Sequence, residues 1–189
     1  MTDLTEFILA SASPRRAELC RLVDLRFRQV SPDVDEAYFV DSPNETAREN
    51  ARRKISWVRV HHPGMVSIAA DTVVSLDERC IGKPSSPAEA KEFLKRFSGC
   101  EHKVITATAI SHPQHDPLIV EDISFVRFKA LSDGEISDYL SKVDPMDKAG
   151  GYDIGDHGDL LVSSYKGSYT NIMGLPMERL FTILWRPSE

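Results

Sequence analysis

Cysteine is scarce in this chain, with only Cys20, Cys80 and Cys100 in 189 residues. They are odd in number and far apart, and no C-x-x-C pair occurs. A disulfide framework and a thiolate zinc site are therefore excluded as readings. Reduced thiols in a cytoplasmic protein are expected. No run approaches about 18 consecutive apolar residues, so no membrane-spanning helix is expected. The segment from Met1 to Leu9 lacks the basic start and long apolar centre of a signal peptide. The six histidines include no H-x-x-x-H or H-E-x-x-H pair. His61, His62, His102, His112, His115 and His157 read as surface residues rather than zinc ligands. There is no G-x-S-x-G elbow for a serine hydrolase and no P-loop. Positive charge is not in excess: the formal net charge is -6 and the isoelectric point about 5.5. With no aromatic stacking motif either, nucleic acid is not the expected partner. A small anion in a locally basic site remains compatible with this balance. Internal repeats and low-complexity tracts are also missing.

What is present is an ordinary globular composition, 41% hydrophobic and 28% charged. The length suits one domain over residues 1–189, built as one compact body or two lobes. Phe7–Ala10 reads as a buried strand and Phe27–Val30 as a second. Ser13-Pro14 opens a helix through Ala17, Leu19 and Cys20, with serine at the cap and proline at the first position. Ser42-Pro43-Asn44-Glu45, Ser86-Pro87-Ala88-Glu89 and Ser132-Asp133-Gly134-Glu135 fit the capping box. Helices are predicted over 43–60, 87–97 and 133–141. Strands are predicted over 65–75, 103–111, 119–128 and 160–164, from their β-branched content. Lys166-Gly167 is expected to turn a hairpin into a strand from Tyr169 to Met173. A final helix is expected from Pro176 to Trp185. Loops are expected at 112–117 and 144–158. Mixed helix and strand throughout predict an α/β or α+β sheet protein.

Several residues look chemical. Ser11-Ala12-Ser13-Pro14-Arg15-Arg16 joins a strand to a helix start, where free amides and the helix dipole suit a phosphate. Two arginines in a first turn oppose that dipole, and an anion would relieve the conflict. An exposed cap with solvated arginines is the plainer reading. Asp71 interrupts a run that otherwise reads as a buried strand. It needs a partner, a metal or a catalytic role, or else it sits at a strand end and is capped locally. Pro32-Asp33-Val34-Asp35-Glu36 supplies carboxylates that suit magnesium or manganese, although acidic loops are often only solvated. Lys54 shares a helix face with Ala47, Ala51 and Val58, so it either snorkels out or enters a site. Lys83, in Gly82-Lys83-Pro84, reads alone as a surface lysine. Asp147 to Tyr152 forms a glycine-rich turn that permits positive φ or close approach.

The order of these pieces is more specific than any one of them. It continues through Phe97-Ser98-Gly99, His102-Lys103-Val104, Thr106-Ala107, Gly167-Ser168-Tyr169, Asn171 and Gly174-Leu175-Pro176. The whole series resembles the Maf family of nucleotide pyrophosphatases over nearly the full chain. That resemblance implies an α/β fold like the inosine triphosphate pyrophosphatases: an elongated mixed sheet with helices and two lobes around a cleft. It implies cleavage of nucleoside triphosphates between the α- and β-phosphates, and a divalent cation (magnesium, manganese or cobalt). Some members form homodimers. By matching positions, Asp71 is the catalytic carboxylate and Glu36 a second catalytic or metal-binding acid. Arg15, Arg16, Lys54 and Lys83 match phosphate-binding positions. Thr72 and Arg15 match positions tied to substrate choice, and Ser13 belongs to the same substrate-binding loop.

The paired arginines and Gly167-Ser168-Tyr169 resemble the branch acting on dTTP and UTP. That branch usually carries glutamine three residues after the tyrosine of the glycine-rich turn, where this chain has Gly155. Glycine cannot read a base edge, so Asp156 or His157 substitutes, or the base preference differs. The same resemblance supports one other reading, a nucleotide-binding regulator of septum formation with little catalysis. A phosphatase of another fold is the third.

Overall fold

The computed structural model describes residues 6–184. Its centre is one seven-stranded mixed sheet. Strand β1 (Phe7–Ala10) lies between β2 (Phe27–Val30) and β3 (Ser67–Leu76), and both pairings are parallel. Helix α1 (Pro14–Leu22) connects β1 to β2, and helix α2 (Pro43–His61) returns the chain to β3. Beyond β3 the sheet is antiparallel, through β5 (Glu101–Ser111), β6 (Leu118–Phe128) and β7 (Val162–Lys166). Strand β4 (Arg79–Ile81) folds back on the end of β3, a strand too short to stand out in the sequence.

Alternation along β3 builds two cores. Ala69 and Val73 face α2, where they meet Ala47, Ala51, Ile55 and Val58. Ile68 and Ala70 face the other side, with Ala17, Cys20 and Leu180. Burying Ile55 or Val58 fully contributes about 1.5–3 kcal/mol each. The alanines let α2 lie close to the sheet. A third cluster gathers Phe97, Phe128, Tyr139 and Leu161 around helices α3 (Pro87–Phe97) and α4 (Asp133–Lys142). Among the described residues no helix is long and apolar enough to cross a membrane. The three cysteines are free, and burial pushes the Cys20 thiol up to about 12.

The helix starts are only partly those of the sequence pattern. Ser132 and Glu135 form the full reciprocal box. Ser86 accepts from Glu89 N–H, but the Glu89 carboxylate turns to Ser85 instead. Ser13 and Ser42 make no side-chain cap, so proline at the first position carries those starts.

The expected hairpin into Tyr169–Met173 does not form. Ser168 accepts from Asn171 N–H and starts a short helix, α5 (Tyr169–Ile172). Gly167, at φ 100°, packs against Ser124 so closely that a Cβ would lie 2.6 Å from the Ser124 hydroxyl. That contact ends β7 rather than folding it back. The strand predicted from Leu160 begins at Val162, because Gly158–Leu160 is a 3-10 turn. The last helix, α6, is described over Met177–Leu184, and Trp185 lies outside the described residues.

Candidate active site

The strand order places a crevice at one end of the sheet. From β1 the chain goes to β2 on one side, then crosses by α2 to β3 on the other. A crevice opens at the carboxyl ends of strands where such connections diverge. Strand β1 stops at Ala10, paired with Ala69, while β3 runs on. Asp71 and Thr72 therefore lie past the end of their neighbour, facing the loop Ser11–Ser13. A pocket of about 490 Å³ opens there, in the range for small ligands.

Asp71 has the parity of Ala69 and Val73, so it points toward α2. It is only 8% exposed. Its Oδ1 accepts from the Lys54 ammonium at 2.6 Å, and its Oδ2 from the Asn50 amide at 3.2 Å. The Lys54 ammonium also lies 2.7 Å from Glu36 Oε1. Lys54 therefore does not snorkel out; it joins the two acids singled out in the sequence. Burial pushes the Glu36 carboxyl up, but Lys54, with Lys83 and Arg16 behind it, outweighs this and holds it below the usual carboxylate range. The rest of the acidic loop separates from it. Asp33 and Asp35 are exposed and do not line the pocket.

Asn50 is a site residue that sequence reasoning missed. It is 3% exposed. Its side-chain amide accepts from Ala37 N–H at 2.6 Å and donates to the Ala37 carbonyl at 3.1 Å. One amide thus clamps the backbone beside Glu36 while it touches Asp71. The available signal was its place one turn before Lys54 on the apolar face of α2.

Thr72 points to the opposite face of β3, where Arg16 meets it. Arg16 donates to Thr72 Oγ1 at 2.9 Å, to Ser11 Oγ at 3.1 Å and to the Gly174 carbonyl at 2.7 Å. Gly174 takes φ 104°, a conformation that favours glycine, and even a Cβ there would crowd Thr72 and Arg16. Arg15, one position earlier and so about 100° around the helix, pairs instead with Asp153 at 2.7 Å. The two arginines are therefore not equivalent. Carboxylates of the protein already relieve part of their conflict with the helix dipole: Asp153 pairs with Arg15, and Asp71 and Glu36 act on Arg16, whose pKa burial lowers. Ser13 lines the pocket, and its N–H donates to Ser11 Oγ.

Lys83 is an exposed part of the pocket lining and forms no hydrogen bond or ion pair with another described residue. The loop carrying it is tied to the glycine-rich turn by Gly150 N–H, which donates to the Gly82 carbonyl. Asp156 and His157, the candidates for reading a base, lie 3.9 Å apart in an exposed pair and do not line the pocket. His102 is not a surface residue. It is 1% exposed and bonded to the Tyr152 hydroxyl at 2.7 Å, because it alternates inward on β5 beneath Phe97 and Phe128.

Among the described residues no group of three or more His, Cys, Asp or Glu side chains is placed to hold a metal. Asp71 and Glu36 are a pair. Magnesium is commonly held by one or two carboxylates together with substrate phosphates, so this donor set fits such an ion.

Two dTTP/UTP pyrophosphatases are close in sequence. That of Symbiobacterium thermophilum is 41% identical over 182 residues, covering 96% of this chain and 93% of that protein. That of Clostridioides difficile is 41% identical over 179 residues, covering 94% and 92%. Among solved structures, the Ham1 protein of Staphylococcus aureus has a TM-score of 0.55 at 13% identity, covering 95% of this chain and 97% of that one. A HAM1 protein from Coxiella burnetii has a TM-score of 0.52 at 18% identity, covering 95% and 98%. At such identities the structural likeness establishes a Ham1-like α/β fold and nothing more. The family described as Maf-like protein matches residues 6–186, and this chain belongs to it.

Proposed function

We propose that this protein hydrolyses nucleoside triphosphates between the α- and β-phosphates, releasing a monophosphate and pyrophosphate, with dTTP and UTP as substrates. The observation that carries this reading is the Glu36–Lys54–Asp71 chain, set in a pocket with Arg16 and the exposed Lys83. The curated relatives named dTTP/UTP pyrophosphatase support the choice of substrate. We read the pocket as the cleft between two lobes, the parallel βαβ half and the part that carries the glycine-rich turn and the end of α5.

A triphosphate is strongly anionic, and more charge moves onto the leaving pyrophosphate as the anhydride bond breaks. Fixed cations stabilise that charge without reorganising. Lys83 and the remaining donors of Arg16 supply them here. Each Asp71 oxygen accepts one hydrogen bond from the protein, Oδ1 from Lys54 and Oδ2 from Asn50, and keeps capacity to take a proton from the attacking water. Lys54 and Asn50 fix the direction of that carboxylate. Asp71 and Glu36 would hold a magnesium, manganese or cobalt ion, which would neutralise phosphate oxygens.

The test is a panel of dTTP, UTP, CTP, 7-methyl-GTP and ITP with magnesium or manganese, with pyrophosphate separated from orthophosphate. Pyrophosphate and monophosphate are expected, fastest from dTTP or UTP. Orthophosphate alone would overturn the bond assignment.

A further inference from the structure

The glycine-rich turn delivers to the pocket a carboxylate that the chemistry above does not use. Asp153 lines the pocket and is 9% exposed. It is held at three points. Its N–H donates to the Tyr139 hydroxyl at 2.9 Å, its Oδ2 accepts from Arg15 at 2.7 Å, and its Oδ1 accepts from Gly155 N–H at 2.9 Å. A carboxylate ordered this firmly in a pocket for an anion would repel phosphate. It also neutralises Arg15, which would otherwise serve the phosphates as Arg16 and Lys83 can.

The surroundings of Asp153 suit a base better than a phosphate. Gly155 has no side chain, and the position a Cβ would take lies 3.4 Å from Asp153 Oδ1, 3.5 Å from the Met173 methyl and 3.6 Å from the Tyr169 hydroxyl. The bare glycine thus lets the turn pack closely between an apolar methyl, an aromatic hydroxyl and the fixed carboxylate, which holds Asp153 at the pocket wall. Ile154 and Met173 extend the apolar lining. A flat heterocycle needs apolar contact on its faces and hydrogen bonds on its edge.

We propose that Asp153, held by Arg15, is the specificity-determining residue of this pocket and reads a nucleobase edge that sets N–H beside C=O. The proposal rests on the triphosphate reading above and names the part of the pocket that selects the base. A carboxylate only accepts and a guanidinium only donates. Side by side they match the imide edge of uracil or thymine: the ring N–H donates to Asp153, and a neighbouring carbonyl accepts from Arg15. Cytosine has a lone pair at that ring nitrogen, which faces the carboxylate with like polarity. Sites built to hydrogen-bond one edge reject the mismatched one because their own buried groups are left unpaired.

The experiment compares kcat/KM for UTP and CTP, read as pyrophosphate, in the wild type, Asp153→Asn and Arg15→Lys, with melting temperatures alongside. The wild type is expected to prefer UTP. Asp153→Asn should lower the UTP-to-CTP ratio by about tenfold or more, mainly through slower UTP, since a charged hydrogen bond is lost. Arg15→Lys keeps the positive charge but loses the planar fork, so it should lower the ratio too. It also reads the proposal if Asp153→Asn does not fold. A folded variant that slows both nucleotides equally, or leaves the ratio unchanged, would show that the pair only ties α1 to the turn. A wild type that prefers CTP would also overturn the proposal. No pyrophosphate from the wild type with any nucleotide would instead reject the reaction itself.

Discussion

The Lys54 ammonium and the Asp71 carboxylate meet at 2.6 Å, with both side chains about nine-tenths buried. A buried ion pair is weak evidence for stability, since desolvating two charges offsets much of their attraction. Glu36 on the same ammonium gives the arrangement an excess of negative charge. That excess would suit the divalent cation proposed to accompany the substrate.

Asp71→Asn should leave the fold intact and lose most of the turnover. Lys54 keeps Glu36 as a partner in that variant, so no buried charge is stranded. Loss of a positioned proton acceptor typically costs about 10²–10⁴ in rate. Steady-state pyrophosphate release, with circular dichroism as the control for folding, makes the comparison. Near-wild-type turnover would remove Asp71 from the chemistry.

Lys54→Met should be the more destabilising change, by about 3–5 kcal/mol, because it leaves the buried Asp71 carboxylate without its counter-ion. The double variant with Asp71→Asn should recover part of that loss. Urea unfolding of the four proteins in the cycle measures the coupling. Additive losses would mean that the two side chains do not depend on each other.

Asn50→Leu should lower kcat by about tenfold, equivalent to 1.36 kcal/mol on the barrier. It strands Ala37 N–H and C=O and frees the backbone next to Glu36. Stability should fall by about 1–3 kcal/mol as those groups lose their partner. Unchanged kcat in a folded variant would reduce Asn50 to a structural role.

His102 should make stability depend on pH. Burial pulls its imidazole down to about 3. Between that value and the ordinary value near 6.5, the unfolded chain binds a proton that the folded chain refuses. The contribution is complete above about pH 6.5 and is lost as pH falls, by about 1.4 kcal/mol per unit. Melting temperature should therefore fall more steeply from about pH 7 to pH 5 in the wild type than in His102→Gln. Parallel curves would contradict burial of the neutral ring.

Much of the fold was legible because its signals are local. Helices α2 and α3 announce themselves by serine, proline and glutamate at fixed offsets, α4 by serine and glutamate, and β3, β5 and β6 by runs of β-branched residues. Asp71 stood out for the same reason, as a charge inside an apolar run. The Tyr169–Met173 hairpin failed because Ser168 had a local alternative: capping a helix while Gly167 packed on Ser124. His102 was misread because its burial depends on Phe97, Phe128 and Tyr152, which come from three separate elements.

The sequence by itself determined most of the element order, most helix starts, the family resemblance and the residue types a phosphate site needs. The tertiary structure decided how those residues divide the work. Arg15 and Arg16 are neighbours with the same chemistry, yet one meets a carboxylate 138 positions away and the other bridges Ser11, Thr72 and Gly174. Asn50 and Asp153 carry no motif and gain their roles only when strand β3 outruns β1 and the glycine-rich turn closes over the gap. Local propensity reaches a few residues along the chain. Which charges face one another depends on contacts that only the folded sheet creates.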